Sequence, residues 1–501
     1  MSTVEPFALV VLITALVGIA AVLSNRLGAW LPVPTPALFL VGAAVASDVW
    51  PQLGRIPISA VEHVATVALA IILFDGGMQI GWKRFRSAAG AIVWIGVAGT
   101  FVTAAALAAA AHLLFGFDWR IALLLGTALA PTDPAVVFSV LGNREISGRS
   151  GVLLQGESGA NDPVGIALLI ALLGATTFDT QAIAHATGEF GLQMVVGATV
   201  GVTGGLGLLL FMRRIPLPAA GLYSLRVLMC ALAIYGAATL AHGSGFLAVL
   251  VAGIVIGDQR APYKAEIARF HSALANLAEI VVFVMLGLTI QLTGPDGISQ
   301  GGAWLIGLVL AVLLTLVIRP LLVGALLWKV DLARGERVFV LWTGLKGAVP
   351  ILLGTFIVHA GITDSHRAYE IIFIVVAFSV IVQGGLVPTL ARRLGVPLRT
   401  VDPEPWGIGV RFRHEPHALH RYTITPGSLA DGSTLADLPS DDIWISLIIR
   451  DGRLVAGAAD TTLHADDEVL VILPDSETSP HITAIFTDPK PNPTGRPPET
   501  L

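Results

Sequence analysis

One cysteine, Cys230, occurs in 501 residues. A single thiol excludes an intramolecular disulfide and leaves no cysteine cluster for zinc or an iron–sulfur group. Charge is scarce as well. Asp, Glu, Lys and Arg make up 13% of the chain, against about 25% in soluble domains, which excludes an ordinary water-soluble protein. The formal net charge of -5 offers no basic surplus for a nucleic-acid partner. Enzyme signatures are missing too: there is no HExxH, no GxSxG with a partnered histidine and no GxxxxGK[ST] loop. The chain is therefore not read as an enzyme. The N-terminal MSTVEP lacks the basic region of a secretory signal, so the apolar run behind it is read as a retained first span.

What is present is apolar surface. Hydrophobic residues make up 54%, and 54 glycines supply the small side chains typical of membrane helix contacts. Windows of about 20 apolar residues can cross the roughly 30 Å hydrocarbon core. Thirteen such windows are found, from 7–25 and 33–49 through 119–141 and 151–174 to 338–360 and 369–391. The split between 219–241 and 243–258, near Gly243 and Ser244, is the least marked. Alternate loops carry seventeen Lys and Arg, including Lys83, Arg84, Arg213, Arg392 and Arg393, against three on the other side, Arg55, Arg120 and Arg367. That asymmetry is the positive-inside pattern. It predicts an odd number of spans, an external N-terminus and a cytoplasmic C-terminus in the cell membrane.

The chain divides into a transmembrane domain over 1–397, a linker over 398–417, a small α+β cytoplasmic domain over 418–486 and a Pro-rich tail over 487–501. In the third part, IWISLIIRDGRLVAG reads as a hairpin around the turn dipeptide Asp451-Gly452. DEVLVILP reads as another strand and TLADLP as a short helical turn.

The few charges left inside the apolar windows matter most, since each costs a few kcal/mol at about mid-bilayer depth. The acids are Asp75, Asp133, Glu157, Asp162 and Glu279, and the bases are Arg226, Arg319 and Lys346. At 1.5 Å per residue, Asp162 and Asp133 both come to lie roughly 16 Å deep. In GESGANDPVGIAL, Ser158 and Asp162 share one helix face, while Glu157 and Asn161 share another about 100° away. The first face offers a hydroxyl and a carboxylate to an ion. The second can turn Glu157 toward a buried cation, and Arg319 is the best candidate. Around Asp133, in LAPTDPAVVF, Pro131 and Pro134 each remove a backbone donor. A second break lies in GLKGAVP, with Gly344, Gly347 and Pro350. Interrupted helices in opposed orientation point to an inverted-repeat transporter with its site between them. Lys346 is placed to neutralise helix C-terminal ends at their crossing. The competing structural reading, an acid paired with a base, weighs most for Glu279 and Asp75, and Arg226 reads as snorkelling.

GESGANDPVGIAL, APTDPAVVFSVL, LFDGGMQI and WTGLKGAVPILL resemble the cation:proton antiporter-1 family of bacterial sodium/proton and potassium/proton exchangers, over about residues 5–395. The resemblance implies an all-α polytopic membrane protein of about 13 transmembrane helices with inverted repeats and two crossed discontinuous helices, assembled as a homodimer. It implies that Asp162 binds the monovalent cation or the proton and that Asn161 is the asparagine of electroneutral members. Ser158, Thr132 and Asp133 form the rest of the site wall. Glu157 pairs with the core arginine, here Arg319, and Asp75 is an acid that approaches the ion in some members. One departure is Lys346, where the family often has arginine: the charge is kept and the planar fork is lost. The segment over about 418–475 resembles an RCK C-terminal (TrkA-C) domain, which implies regulation, with a small regulatory ligand or none.

These readings lead to one expectation. The chain exchanges K⁺, or Na⁺, for protons across the lipid bilayer by alternating access, one for one, with no cofactor. The alternatives are a cation channel or an ion-coupled transporter without proton exchange; no TVGYG filter run is present.

Overall fold

The computed structural model describes residue 19 and residues 34–141, 144–146, 148–175, 180–293, 302–328, 330, 332–400, 419–438, 444–450, 453–472 and 480–488. It divides into two compact units, Met1–Pro403 and Glu404–Leu501.

The first unit is helical. Its helices are α1 (Thr35–Val49), α2 (Ile58–Val93), α3 (Gly99–Phe115), α4 (Trp119–Leu129), α5 (Ala135–Leu141), α6 (Arg149–Gly174), α7 (Thr180–Arg214), α8 (Ala220–Leu240) and α9 (Gly245–Gly257). There follow α10 (Lys264–Leu288), α11 (Ala303–Leu313), α12 (Gly324–Leu327), α13 (Arg334–Trp342), α14 (Val349–His359), α15 (Ser365–Phe378) and α16 (Val387–Arg393). Twelve of the thirteen apolar windows coincide with these helices; the window at 7–25 falls outside the described residues apart from residue 19. Among the described residues, six helices are long and apolar enough to cross a membrane, and four more are shorter and apolar.

Local chemistry accounts for the breaks. The division near Gly243 and Ser244 is real: α8 stops at Leu240, and Ser244 caps α9 by accepting the Leu247 N–H. Windows 58–80 and 88–115 are separated within one long run at Gly81, whose φ of 65° suits glycine. The Asp258 carboxylate accepts the Lys83 N–H just beyond that kink at 2.5 Å. Wider π turns join α2 to α3 (Trp94–Ala98), α11 to α12 (Leu314–Val323) and follow α15 (Ser379–Gln383). The second of these contains Pro320, which cannot donate to a regular helical ladder.

Packing within this unit relies on small residues. Helix α9 lies against α2 and α7, and α10 lies against α1 and α2. Where α2 meets α9, a side chain on Gly77 would run into the Leu250 carbonyl, and one on Gly253 into that of Phe74. Such close backbone approach substitutes dispersion contact for the hydrophobic drive that lipid does not supply. Strand β1 (Arg144–Ile146) pairs antiparallel with β2 (Leu398–Thr400), so the first residues of the stretch read as a linker add a strand to this unit.

The second unit contains β3 (Leu419–Thr423), β4 (Trp444–Arg450), β5 (Arg453–Val455), β6 (Glu468–Ile472) and α17 (Pro480–Thr487). The four strands form an antiparallel sheet in the order β3-β6-β4-β5. Val469 and Val471 alternate inward along β6, as a half-buried strand requires. They join Ile424, Ile448, Leu463, Ile485 and Phe486 in a small core of their own. Tyr422 stacks on Phe486 with ring centroids 5.0 Å apart. The pairing of Arg450 with Arg453 closes the expected hairpin, whose turn residues Asp451 and Gly452 lie outside the described set. TLADLP supplies a 3-10 turn at Leu435–Asp437. The rest of the linker, residues 401–417, and the tail beyond residue 488 are also outside it.

Candidate ion-binding site

Two interrupted helices meet inside the first unit. Helix α4 ends at Leu129 and α5 begins at Ala135, because Pro131 and Pro134 remove successive ladder donors. Helix α13 ends at Trp342 and α14 begins at Val349, with Pro350 in the first turn, where its missing N–H costs nothing. The backbone N–H of Asp133 donates to the Leu345 carbonyl at 2.8 Å. Approach this close needs glycine: a Cβ on Gly347 would overlap the Asp133 carboxyl group.

Each break leaves unsatisfied backbone groups and half-helix ends with partial charge. Lipid would not tolerate them bare. Lys346 Nζ donates to the carbonyls of Ala130 and Pro131, at 2.9 and 2.8 Å, and so covers the C-terminal end of α4. Arg319 donates from Nε to Leu341 O at 2.9 Å and from Nη2 to Val340 O at 3.3 Å, covering the end of α13. The Asp133 carboxylate accepts N–H groups from Ala135 and Ala348, at the starts of α5 and α14. Cations therefore meet both C-terminal ends and one acid meets both N-terminal ends.

Helix α6 runs beside the crossing. Glu157 forms an ion pair with Arg319 at 2.8 Å, with both side chains buried. One residue on, Ser158 Oγ lies 3.1 Å from Thr132 Oγ1. Asn161 Nδ2 donates to Thr132 Oγ1 at 2.8 Å, and its Oδ1 accepts the Thr132 N–H at 3.3 Å. Thr132 thus gathers Ser158 and Asn161 from two neighbouring faces of α6. Asp162 follows, 7% exposed, and its Oδ1 has no hydrogen-bond partner. Asp133 and Lys346 are close enough to interact with it electrostatically. Pro163 lies next in the helix and removes the N–H that would bond back to Gly159, loosening the backbone there.

The residues named from the sequence thus fall into two groups. Thr132, Asp133, Glu157, Ser158, Asn161, Asp162, Arg319 and Lys346 come together at the crossing. Asp75 does not share hydrogen bonds with them. Its carboxylate accepts from Gln79 Nε2 at 2.6 Å and from Ser272 Oγ of α10 at 3.1 Å. Arg226 also lies elsewhere. It donates to the Phe211 and Ile215 carbonyls at the end of α7, between the rings of Phe211 and Tyr223.

Sequence reasoning missed Ser379 and Gln383. Ser379 Oγ accepts the Lys346 N–H at 2.9 Å and donates to Gln383 Oε1 at 2.8 Å. Gln383 in turn donates to the Trp342 carbonyl, and Trp342 Nε1 donates to the Gln383 carbonyl. This network holds the unwound stretch between α13 and α14. The available signal was a polar i,i+4 pair in the window 369–391, two residues that can share a helix face.

Chemically, the crossing presents one unpartnered carboxylate oxygen beside two hydroxyls in a buried setting. Hard oxygen donors of this kind suit an alkali cation or a proton.

Comparisons with known proteins bear on the family and the fold. The sodium/hydrogen exchanger transmembrane family matches residues 11–393, and the TrkA-C domain matches residues 419–479. The chain is 31% identical over 463 residues to the K(+)/H(+) antiporter NhaP of Alkalimonas amylolytica, covering 91% of this chain and 78% of that protein. It is 32% identical over 476 residues to the K(+)/H(+) antiporter NhaP2 of Shewanella sp. strain MR-4, covering 92% and 80%. The Na(+)/H(+) antiporter NhaH of Halobacillus dabanensis is 28% identical over 347 residues, covering 66% and 83%. In fold, the chain is similar to the sodium proton antiporter MjNhaP1 of Methanocaldococcus jannaschii, seen by electron microscopy, with a TM-score of 0.64 and 21% identity over 79% of this chain and 98% of that one. Crossed, charge-compensated helices and a matching profile over most of the length lead to one assignment: the chain belongs to the sodium/hydrogen exchanger family of membrane transporters and carries a C-terminal TrkA-C domain.

Proposed function

We propose that the protein exchanges a monovalent cation for protons by alternating access, with Asp162 as the group for which the two compete. The observation that carries this reading is the unpartnered Oδ1 of Asp162 within a crossing whose other charges cancel. Asp133, Glu157, Arg319 and Lys346 are two anions and two cations, each bonded to helix ends or to one another. Asp162 alone leaves one negative charge. A bare charge carried into hydrocarbon costs several kcal/mol by about any scale, so the site moves when a proton or a cation neutralises it. One carboxylate then gives one proton per cation, and exchange is electroneutral. Asn161, occupied with Thr132, adds no charge. Thr132 and Ser158 supply neutral oxygens to the cation, and Asp133 holds the half-helices that carry them. The relatives named for K⁺ and H⁺ favour K⁺ over Na⁺ as the cargo.

The asymmetry of Lys and Arg supports an external N-terminus and a cytoplasmic C-terminal domain. The protein works in the plasma membrane as a homodimer, and the TrkA-C domain regulates it, with or without a small ligand.

The test uses the full chain in proteoliposomes, with internal pH followed as K⁺, Na⁺, Li⁺ or Rb⁺ is added. The expected result is cation-driven proton movement that Asp162→Asn abolishes while folding and oligomeric state are retained. Normal exchange by Asp162→Asn would overturn the assignment. Cation flux that never changes internal pH would favour a channel.

A further inference from the structure

Helix α10 is apolar over most of its length, yet Glu279 sits within it. A buried acid retained for structure alone is paired with a base or fully hydrogen-bonded. Glu279 is neither. Its side chain is half-buried, and its Oε1 is closed off from solvent without a hydrogen-bond partner. No ion pair joins it to a base among the described residues.

Its position relates it to two other acids. Ser272 and Glu279 are seven residues apart, which puts them on the same face of α10 about 10 Å apart along the axis. Ser272 donates to Asp75 of α2. The Glu279 carboxyl is close enough to Asp133 for the two to interact electrostatically. Helix α10 thus presents a polar file, with Ser272 and the Asp75 carboxylate at one level and Glu279 two turns further on. Gln79, bonded to Asp75, is exposed at the near end of that file. The charged group that acts on Glu279 is Asp133 of the crossing; Asp75 of α2 and His271 of α10 belong to the Ser272 level, about two turns away. Asp48 at the end of α1 is engaged by Leu292 and Thr293.

We propose that Glu279 is a relay carboxylate on the ion pathway, taking the arriving positive charge between the Asp75–Ser272 pair and Asp162. Two carboxylates within electrostatic reach repel unless a cation or proton resides at one of them. Glu279 and Asp133 therefore make an intermediate resting point for the cargo. In the proton half of the cycle, Glu279 in its acid form gives its proton to the Asp162 carboxylate and is left ionised. In the cation half, the ion leaves the Glu279 oxygens for those of Asp162, Thr132 and Ser158. This role rests on the reading of Asp162 given above.

Full-length Glu279→Gln and Glu279→Asp variants, with Asp162→Asn as control, are assayed in proteoliposomes over a range of K⁺ concentration and pH. Glu279→Gln is expected to raise the KM for K⁺ by about tenfold, the loss of one charge-assisted contact, and to shift the pH profile, with kcat little changed. Glu279→Asp is expected to recover most of that loss. An unchanged KM and pH profile in Glu279→Gln would overturn the relay, as would a fall in kcat and melting temperature at constant KM. An inactive Asp162→Asn together with a parental Glu279→Gln would remove the relay alone. An active Asp162→Asn would remove the underlying reading instead.

Discussion

The backbone N–H of Asp133 donates to the carbonyl of Leu345 at 2.8 Å, tying the break between α4 and α5 to the break between α13 and α14. Around this one hydrogen bond, the Asp133 side chain serves the starts of two half-helices, and Lys346 and Arg319 serve the ends of the other two. The broken helix ends of the crossing thereby find their partners within the protein.

Gly347→Ala should be poorly tolerated. Its Cβ would overlap the Asp133 carboxyl, which two N–H groups hold in place. Overpacking of this kind costs about 1–3 kcal/mol. The variant is expected to melt earlier in detergent and to lose most cation/proton exchange. Parental melting and transport would show that the two breaks are less tightly apposed.

Arg319→Ala and Glu157→Gln should differ in severity. Removing Arg319 leaves Glu157 buried and unpaired and also uncovers the Val340 and Leu341 carbonyls, a loss of about 3–5 kcal/mol. Glu157→Gln leaves Arg319 bonded to both carbonyls and is expected to cost less. Combining the two should cost less than the sum, since paired residues are not additive. Thermal unfolding of the four proteins gives the coupling directly, and additive losses would contradict the ion pair.

The C-terminal unit carries a separate acid sensitivity. Burial pushes the Asp467 carboxyl up, but bidentate bonds from Arg450, each 2.8 Å, and the His464 N–H override it and hold it below the usual carboxylate range. A depressed folded pKa contributes stability above the unfolded value, about 3.9. That stability is lost as pH falls through the folded value. Proteolytic resistance of this domain in the full chain should therefore decline as pH drops below about 4. Asp467→Asn should lower resistance at neutral pH, by about 2 kcal/mol, and flatten that acid dependence. An acid response identical to that of the parent would assign the sensitivity to another group.

Much of this architecture was legible in the sequence. Apolar windows located the helices because the cost of exposing backbone in lipid acts on composition alone. Pro131, Pro134, Gly344, Gly347 and Pro350 marked the breaks, since missing donors and missing side chains act locally. Ser379 and Gln383 were not legible. A polar pair in an apolar window becomes meaningful only when the chain brings Lys346 and Trp342 beside it. Asp75 is a similar case: its motif was visible, but its bond to Ser272, 197 residues away, was not.

By itself, the sequence determined that this chain crosses a membrane many times, where its helices break and which few charges lie among them. Those features follow from hydropathy, helix periodicity and the chemistry of proline, all of which act over one or two turns. Only the tertiary structure decided which cation covers which helix end, that Asp133 serves two starts at once and that Asp162 keeps an oxygen without a partner. Those pairings join residues as much as 216 positions apart, and direct hydrogen-bond distance depends on how the helices pack rather than on any local period.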